Sequence, residues 1–160
     1  MIRIGCSGHQ NLTAGTRRVV ARAVAAQIAE VTDDEFVGLS CLAEGTDQLF
    51  AFAVLAAGGR LHAVLPSHEL ERSFRSAEAL TRYRALLDLS TDVRTLPFAE
   101  PGEDAYLAAG YEVVDRCDLL LAVWDGQPAG GKGGTADAVA YARRKGVAVH
   151  VIWPSGARRA

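Results

Sequence analysis

The sequence predicts an α/β fold of three layers: a mostly parallel sheet of about six strands with helices on both faces. Two observations predict it. Short apolar runs alternate with stretches whose apolar residues recur at helical spacing, from Ile2 to Trp153. Glycine, proline or small polar residues mark nearly every junction between them. Short apolar strands joined by helical crossovers are covered on both faces, which is the habit of parallel sheets.

The elements follow in order. Ile2 to Ser7 reads as a strand, Gly8-His9-Gln10-Asn11 as a turn, and Thr13 as the cap of a helix reaching about Thr32, with Val20, Val24, Ile28 and Val31 in one stripe. Phe36 to Cys41 is the second strand, and Thr46 opens a second helix to Gly58 that is apolar nearly all round. Such a helix needs cover on both sides, so a homodimer through helix 46–58 is expected. Arg60 to Leu65 is the third strand, stopped by Pro66, and a polar stretch from Ser67 to Arg75 leads to a helix over Ser76 to Leu89. Thr91 to Leu96 is the fourth strand, Glu103 to Cys117 a helix, and Leu119 to Trp124 the fifth strand. Thr135 to Lys145 is the last helix, its three terminal cations suiting the dipole and Gly146 stopping it. Val147 to Trp153 is the sixth strand. Residues 1–154 form a single domain and 155–160 a tail.

Composition narrows the function classes. The chain has 160 residues, 49% of them hydrophobic, and a net charge of −2, which suits one globular domain with its own core. Basic residues form no long block, the runs at Arg143-Arg144-Lys145 and Arg158-Arg159 being short, so no nucleic-acid partner is expected. Cys6, Cys41 and Cys117 are scattered and read as reduced, buried thiols. Met1-Ile2-Arg3-Ile4 enters a strand directly and no apolar run is long enough for a membrane span, so a cytoplasmic protein with no membrane partner is expected. His9, His62, His68 and His150 lack metal-ligand spacing, and no cofactor is expected.

Right-handed crossovers bring the loops after the strands to one edge of the sheet. Ligands of such sheets bind there, where the strand order reverses. Ser7-Gly8-His9 offers a hydroxyl, a close backbone approach and an imidazole. Glu44, Gly45 and Asp47 follow the second strand, where a carboxylate can hold a sugar diol, and Pro66-Ser67 follow the third. After the fifth come Trp124, Asp125 and Gly126, then Gly130, Gly131, Gly133 and Gly134, and Thr135 at the start of the last helix. Unpaired amides and the dipole at that helix start favour an anion, and glycines let it approach. Arg72, Arg75 and Lys132 are further anion partners. The pattern is neither G-x-G-x-x-G after a first strand nor a P-loop.

Ile4-Gly5-Cys6-Ser7-Gly8-His9, Ala43-Glu44-Gly45-Thr46-Asp47 and Gly133-Gly134-Thr135 together resemble the SLOG superfamily, which is related to the "Lonely Guy" phosphoribohydrolases once taken for lysine decarboxylases. The resemblance implies a Rossmann-like fold that binds nucleotides or nucleotide-derived ligands, often as a dimer. Its members are either enzymes that cleave a base–ribose bond or non-catalytic sensors. The phosphoribohydrolases carry P-G-G-x-G-T-x-x-E, and the glutamate position is Ala138 here, with Asp137 one residue away. The run from Gly134 to Ala142 also resembles nucleoside 2-deoxyribosyltransferases, which want a glutamate at Ala138 as well.

The leading expectation is therefore a binding domain for a nucleotide-like small molecule, with phosphate at Gly133-Thr135. The alternative is an N-glycosidic bond hydrolase or transferase, with Glu44, Asp125 or Asp137 as the catalytic carboxylate. A second alternative is a dimeric structural subunit that binds no ligand.

Overall fold

The computed structural model describes residues 1–128 and 131–160. Gly130, part of the glycine run, lies outside the described residues. The elements are β1 (Ile2–Gly8), α1 (Ala14–Val31), β2 (Phe36–Ser40), α2 (Thr46–Ala56), β3 (Arg60–Leu65), a 3-10 turn (Leu70–Ser73), α3 (Ala77–Leu89), β4 (Asp92–Thr95), α4 (Glu103–Arg116), β5 (Leu119–Val123), α5 (Thr135–Lys145) and β6 (Ala148–Ile152). All the strand pairs of the sheet are parallel, in the order β4-β3-β2-β1-β5-β6. The expected three-layer α/β architecture is the one found.

The layers follow from strand alternation. Leu121 of β5 turns to one face and joins Val20, Val24 and Ile28 of α1 with Phe50 and Val54 of α2. Leu120 turns to the other and joins Ala109 and Val113 of α4 with Ala138 and Ala142 of α5. The order reverses between β1 and β5, so their following loops diverge and leave a crevice.

Local signals set the helix starts. The Thr13 side chain accepts from the Thr16 amide at 3.2 Å, and Ser76 does the same for Ala79 at 3.1 Å. α5 ends in Gly146 at φ 74°, the left-handed position glycine tolerates. The polar stretch before α3 holds a 3-10 turn that its sequence hid, pinned by buried Leu70.

Two expectations change. Most of the apolar circumference of α2 is covered by this chain: Phe50 and Val54 pack with α1, while Ala51 and Leu55 pack with Leu61, Tyr83 and Leu86 of β3 and α3, and Phe52 stays 39% exposed. Much of the cover expected from a second subunit on helix 46–58 is thus supplied by the chain itself, and a homodimer is not shown. Residues 155–160 also do more than trail. Leu12 and Arg159 form an antiparallel bridge, the Thr13 amide donates to the Arg158 carbonyl at 3.3 Å, and the Arg158 amide donates to Thr16 Oγ1 at 2.8 Å. Among the described residues no helix is long and apolar enough to cross a membrane.

Candidate functional site

The carboxyl ends of β1, β2 and β5 open on a cleft of about 420 Å³ at the point where the strand order reverses. That volume suits a small ligand.

Its floor is buried and titratable. Asp47, in the first turn of α2, is 9% exposed. Burial pushes its carboxyl up to about 7, against the stabilising hydrogen bonds of the Ala43 backbone and the Cys6 thiol. Cys6 and Cys41 flank it, both raised well above the usual thiol range, by burial first and then by the Asp47 charge. They are therefore protonated thiols and not nucleophiles. Tyr106 closes one wall, its hydroxyl also raised by burial.

The loops above the floor are locked by short-range geometry. Gly45 caps α2 at φ 88°, and a Cβ there would collide with the Gln10 carbonyl, so only glycine fits. Thr46 Oγ1 donates to the His9 carbonyl at 2.8 Å, which ties the β1 and β2 loops together. Ser7 Oγ donates to Thr135 Oγ1 at 3.4 Å and joins β1 to the start of α5. Glu44 Oε1 accepts the Arg75 amide at 3.0 Å and holds the loop before α3.

His9 is a neutral acceptor. Burial first, and then the Arg159 charge, lower its pKa below 6.5, opposed by Asp125. The Asp125 amide donates to His9 Nε2 at 3.1 Å, so that nitrogen carries no proton. The Asp125 carboxylate lies 3.3 Å from the same nitrogen, which is proximity and not an ion pair while the ring is neutral. Asp125 instead accepts the Gln127 amide at 3.0 Å, which keeps its own pKa below the usual carboxylate range.

At the start of α5, Gly133 sits at φ 81°, where a Cβ would lie 2.8 Å from the Leu107 amide nitrogen. Conformation and space both require glycine there. Its N–H donates to Asp137 Oδ2 at 3.0 Å. One amide of the expected anion cradle is thus already satisfied by the chain's own carboxylate.

Of the residues the sequence nominated, Ser7, Gly8, His9, Glu44, Asp47, Gly133, Gly134, Thr135 and Asp137 line the cleft together. Others stand outside its lining. Gly45 shapes the loop beneath it. Pro66 and Ser67 are buried, Ser67 at 1% exposure. The Trp124 indole donates to the Gln127 carbonyl at 2.8 Å, Asp125 stands behind His9, and Gly126 and Gly131 are exposed. Arg72 pairs with Glu69 at 3.0 Å, and Lys132 with Asp104 at 3.4 Å, on the surface. Arg75 does reach the cleft. Sequence reasoning missed Tyr106, Tyr111 and Arg159. Helical periodicity marks the first two as ordinary helix residues, and the pairing that brings Arg159 in spans the whole chain.

Neither a protein-family model nor a curated protein matches the chain. Solved structures do. DNA processing protein A (DprA) from Streptococcus pneumoniae superposes with a TM-score of 0.71 at 18% identity, over 98% of this chain and 52% of that one. DNA processing protein A from Helicobacter pylori, whose structure concerns its single-stranded DNA binding mode, gives a TM-score of 0.67 at 14% identity, over 97% and 67%. The Moco carrier protein of Chlamydomonas rheinhardtii gives 0.57 at 19% identity, over 94% and 74%. The chain thus spans about half the length of the Streptococcus pneumoniae protein. These likenesses establish a Rossmann-like fold.

They also correct one expectation. Nucleic acid was excluded as a partner on charge, and two proteins sharing this fold are DNA processing proteins, one described for its single-stranded DNA binding mode. A net charge averages the whole surface, whereas a single strand is held by a groove with a few cations and stacking surfaces. The balance of −2 therefore does not restrict this domain to small molecules.

Proposed function

We propose that the cleft binds a nucleotide unit, either free or as part of a single strand, and that the domain belongs with the SLOG group its strand-end motifs resemble. One observation carries this reading: the loops after β1, β2 and β5 converge at the reversal of strand order on a cleft of about 420 Å³. Such crevices are where open α/β sheets take nucleotides. In this reading Glu44 accepts sugar hydroxyls, Ser7 and Thr135 supply hydroxyls of their own, and Tyr106 and Tyr111 give the base an aromatic wall. Calorimetric titration with nucleoside 5′-monophosphates and a short oligothymidylate tests it. Saturable heat with either probe supports the reading, and none with any of them removes it.

A second reading is cleavage of an N-glycosidic bond, and the specific observation behind it is Asp47. Its carboxyl, raised to about 7 on the cleft floor, has the proton affinity a general acid needs near neutral pH. This carboxylate differs from Glu44, Asp125 and Asp137, the ones first expected to act. Free base released from a monophosphate, lost in Asp47→Asn, would favour the enzyme; binding without release favours the sensor.

A further inference from the structure

The cleft's charges are mixed. Glu44, Asp47 and Asp137 line it, and so do two arginines, Arg75 and Arg159. The start of α5 is a compromised anion site, because Asp137 already accepts the Gly133 amide and places a carboxylate there. A phosphate entering the cleft is repelled at that spot and needs a cation elsewhere.

Arg159 is built into position. Besides its bridge to Leu12, the Asn11 carbonyl accepts the Ala160 amide, and the neighbouring Arg158 is held through both its amide and its carbonyl. These bonds fix the segment against the loop that follows β1. The guanidinium then lies at the cleft, with Nε donating to Asn11 Oδ1 at 3.3 Å and one terminal nitrogen 3.7 Å from Asp125 Oδ2. Its side chain is 46% exposed. A guanidinium has five donors, and these two contacts leave most of them free. A contact of 3.7 Å to a carboxylate on a partly exposed side chain is weak competition for a bidentate phosphate.

Resting on the nucleotide reading, we propose that Arg159, delivered by the folded-back C-terminal segment, is the residue that binds the ligand's phosphate. Arg159 thereby takes the role the glycine-flanked start of α5 has in simpler phosphate sites. Phosphorylated ligands gain affinity over the same nucleosides through this one side chain.

The test compares nucleoside 5′-monophosphates, the matching nucleosides and a short oligothymidylate by calorimetry on the full chain. Arg159→Gln should weaken monophosphate or oligothymidylate binding by about tenfold or more and leave nucleoside binding unchanged, with Arg159→Lys between. Arg158→Gln, on the same segment but outside the cleft lining, should bind as wild type does. Unchanged phosphate affinity in Arg159→Gln overturns the assignment. So does an equal loss for nucleoside and monophosphate, or an equal loss in Arg158→Gln, since each means the segment is only structural. In those cases wild-type binding still stands and the nucleotide reading survives. Absence of binding by wild type to every probe overturns both.

Discussion

The Gly133 amide donates to the Asp137 carboxylate across 3.0 Å, so the last helix closes its own start with the first acid of its first turn. A site that looked in sequence like an open anion cradle is partly self-occupied. The same carboxylate stabilises the helix and opposes a phosphate, and the two effects separate by mutation. Asp137→Ala should lower stability by about 1 kcal/mol, as loss of a capping acceptor does. Asp137→Asn keeps an acceptor, removes the charge and should tighten monophosphate binding. Urea unfolding checks the first and calorimetry the second; weaker binding by Asp137→Asn would show that its charge faces a ligand donor.

Asp47 gives the fold a pH dependence of definite sign. Its carboxyl titrates near 7 when folded, against 3.8 for an ordinary aspartate. Between those values the folded state holds a proton the unfolded chain has released. Stability therefore falls as pH rises from about 4 to about 7, by an amount on the order of a few kcal/mol, and is flat above. Asp47→Asn should flatten that slope and be more stable than wild type at pH 8. A wild-type unfolding free energy constant from pH 4 to 8, with the other acids accounted for by the variant, would contradict the buried carboxyl.

His9 acts in the opposite direction. Burial and Arg159 hold its folded pKa below 6.5, so its neutral form is the one the fold prefers. The stability this preference contributes is complete above about 6.5 and is lost as pH falls toward the folded pKa. The proton that binds there displaces the Asp125 amide from Nε2. NMR titration should give a midpoint below 6.5 and, at pH 7.5, the tautomer protonated on Nδ1. A midpoint above 6.5 would mean that Asp125 holds a charged ring.

Gly110 lies inside α4 and on the cleft wall, and a Cβ there would come only as near as 3.8 Å to Ala138 Cβ. Alanine at an unstrained helix-interior glycine should stabilise by about 0.5–1 kcal/mol. Gly110→Ala should therefore raise the melting temperature. If it also weakens ligand binding, the added methyl intrudes on the bound molecule, and the glycine is kept for room.

The fold was legible because its signals are local. Leu119 to Val123 is an apolar run of strand length, Thr13 and Ser76 announce helix starts, and Gly146 a stop. The convergence of Ser7-His9, Glu44 and Gly133-Thr135 followed from topology, since loops after parallel strands share an edge. What escaped depends on tertiary pairing. Nothing around Arg159 announces a bridge to Leu12, and nothing in the α4 pattern says that Tyr106 and Tyr111 face a cleft. The apolar pattern of α2 did not by itself call for a second subunit, because such a helix can be flanked by two helices of its own chain, as α2 is by α1 and α3. Asp47 looked like an ordinary first-turn acid, and only its burial beside Cys6 and Cys41 sets it apart.

The most direct test is a backbone amide NMR map of the protein titrated with nucleoside 5′-monophosphates and with a short oligothymidylate. Saturable shifts are predicted at Ser7, Gly8, His9, Glu44, Gly134 and Thr135, with β4 and the outer face of β6 unmoved. No shift with any probe, or shifts confined to the sheet edges away from these loops, would contradict a nucleotide site at the reversal of strand order.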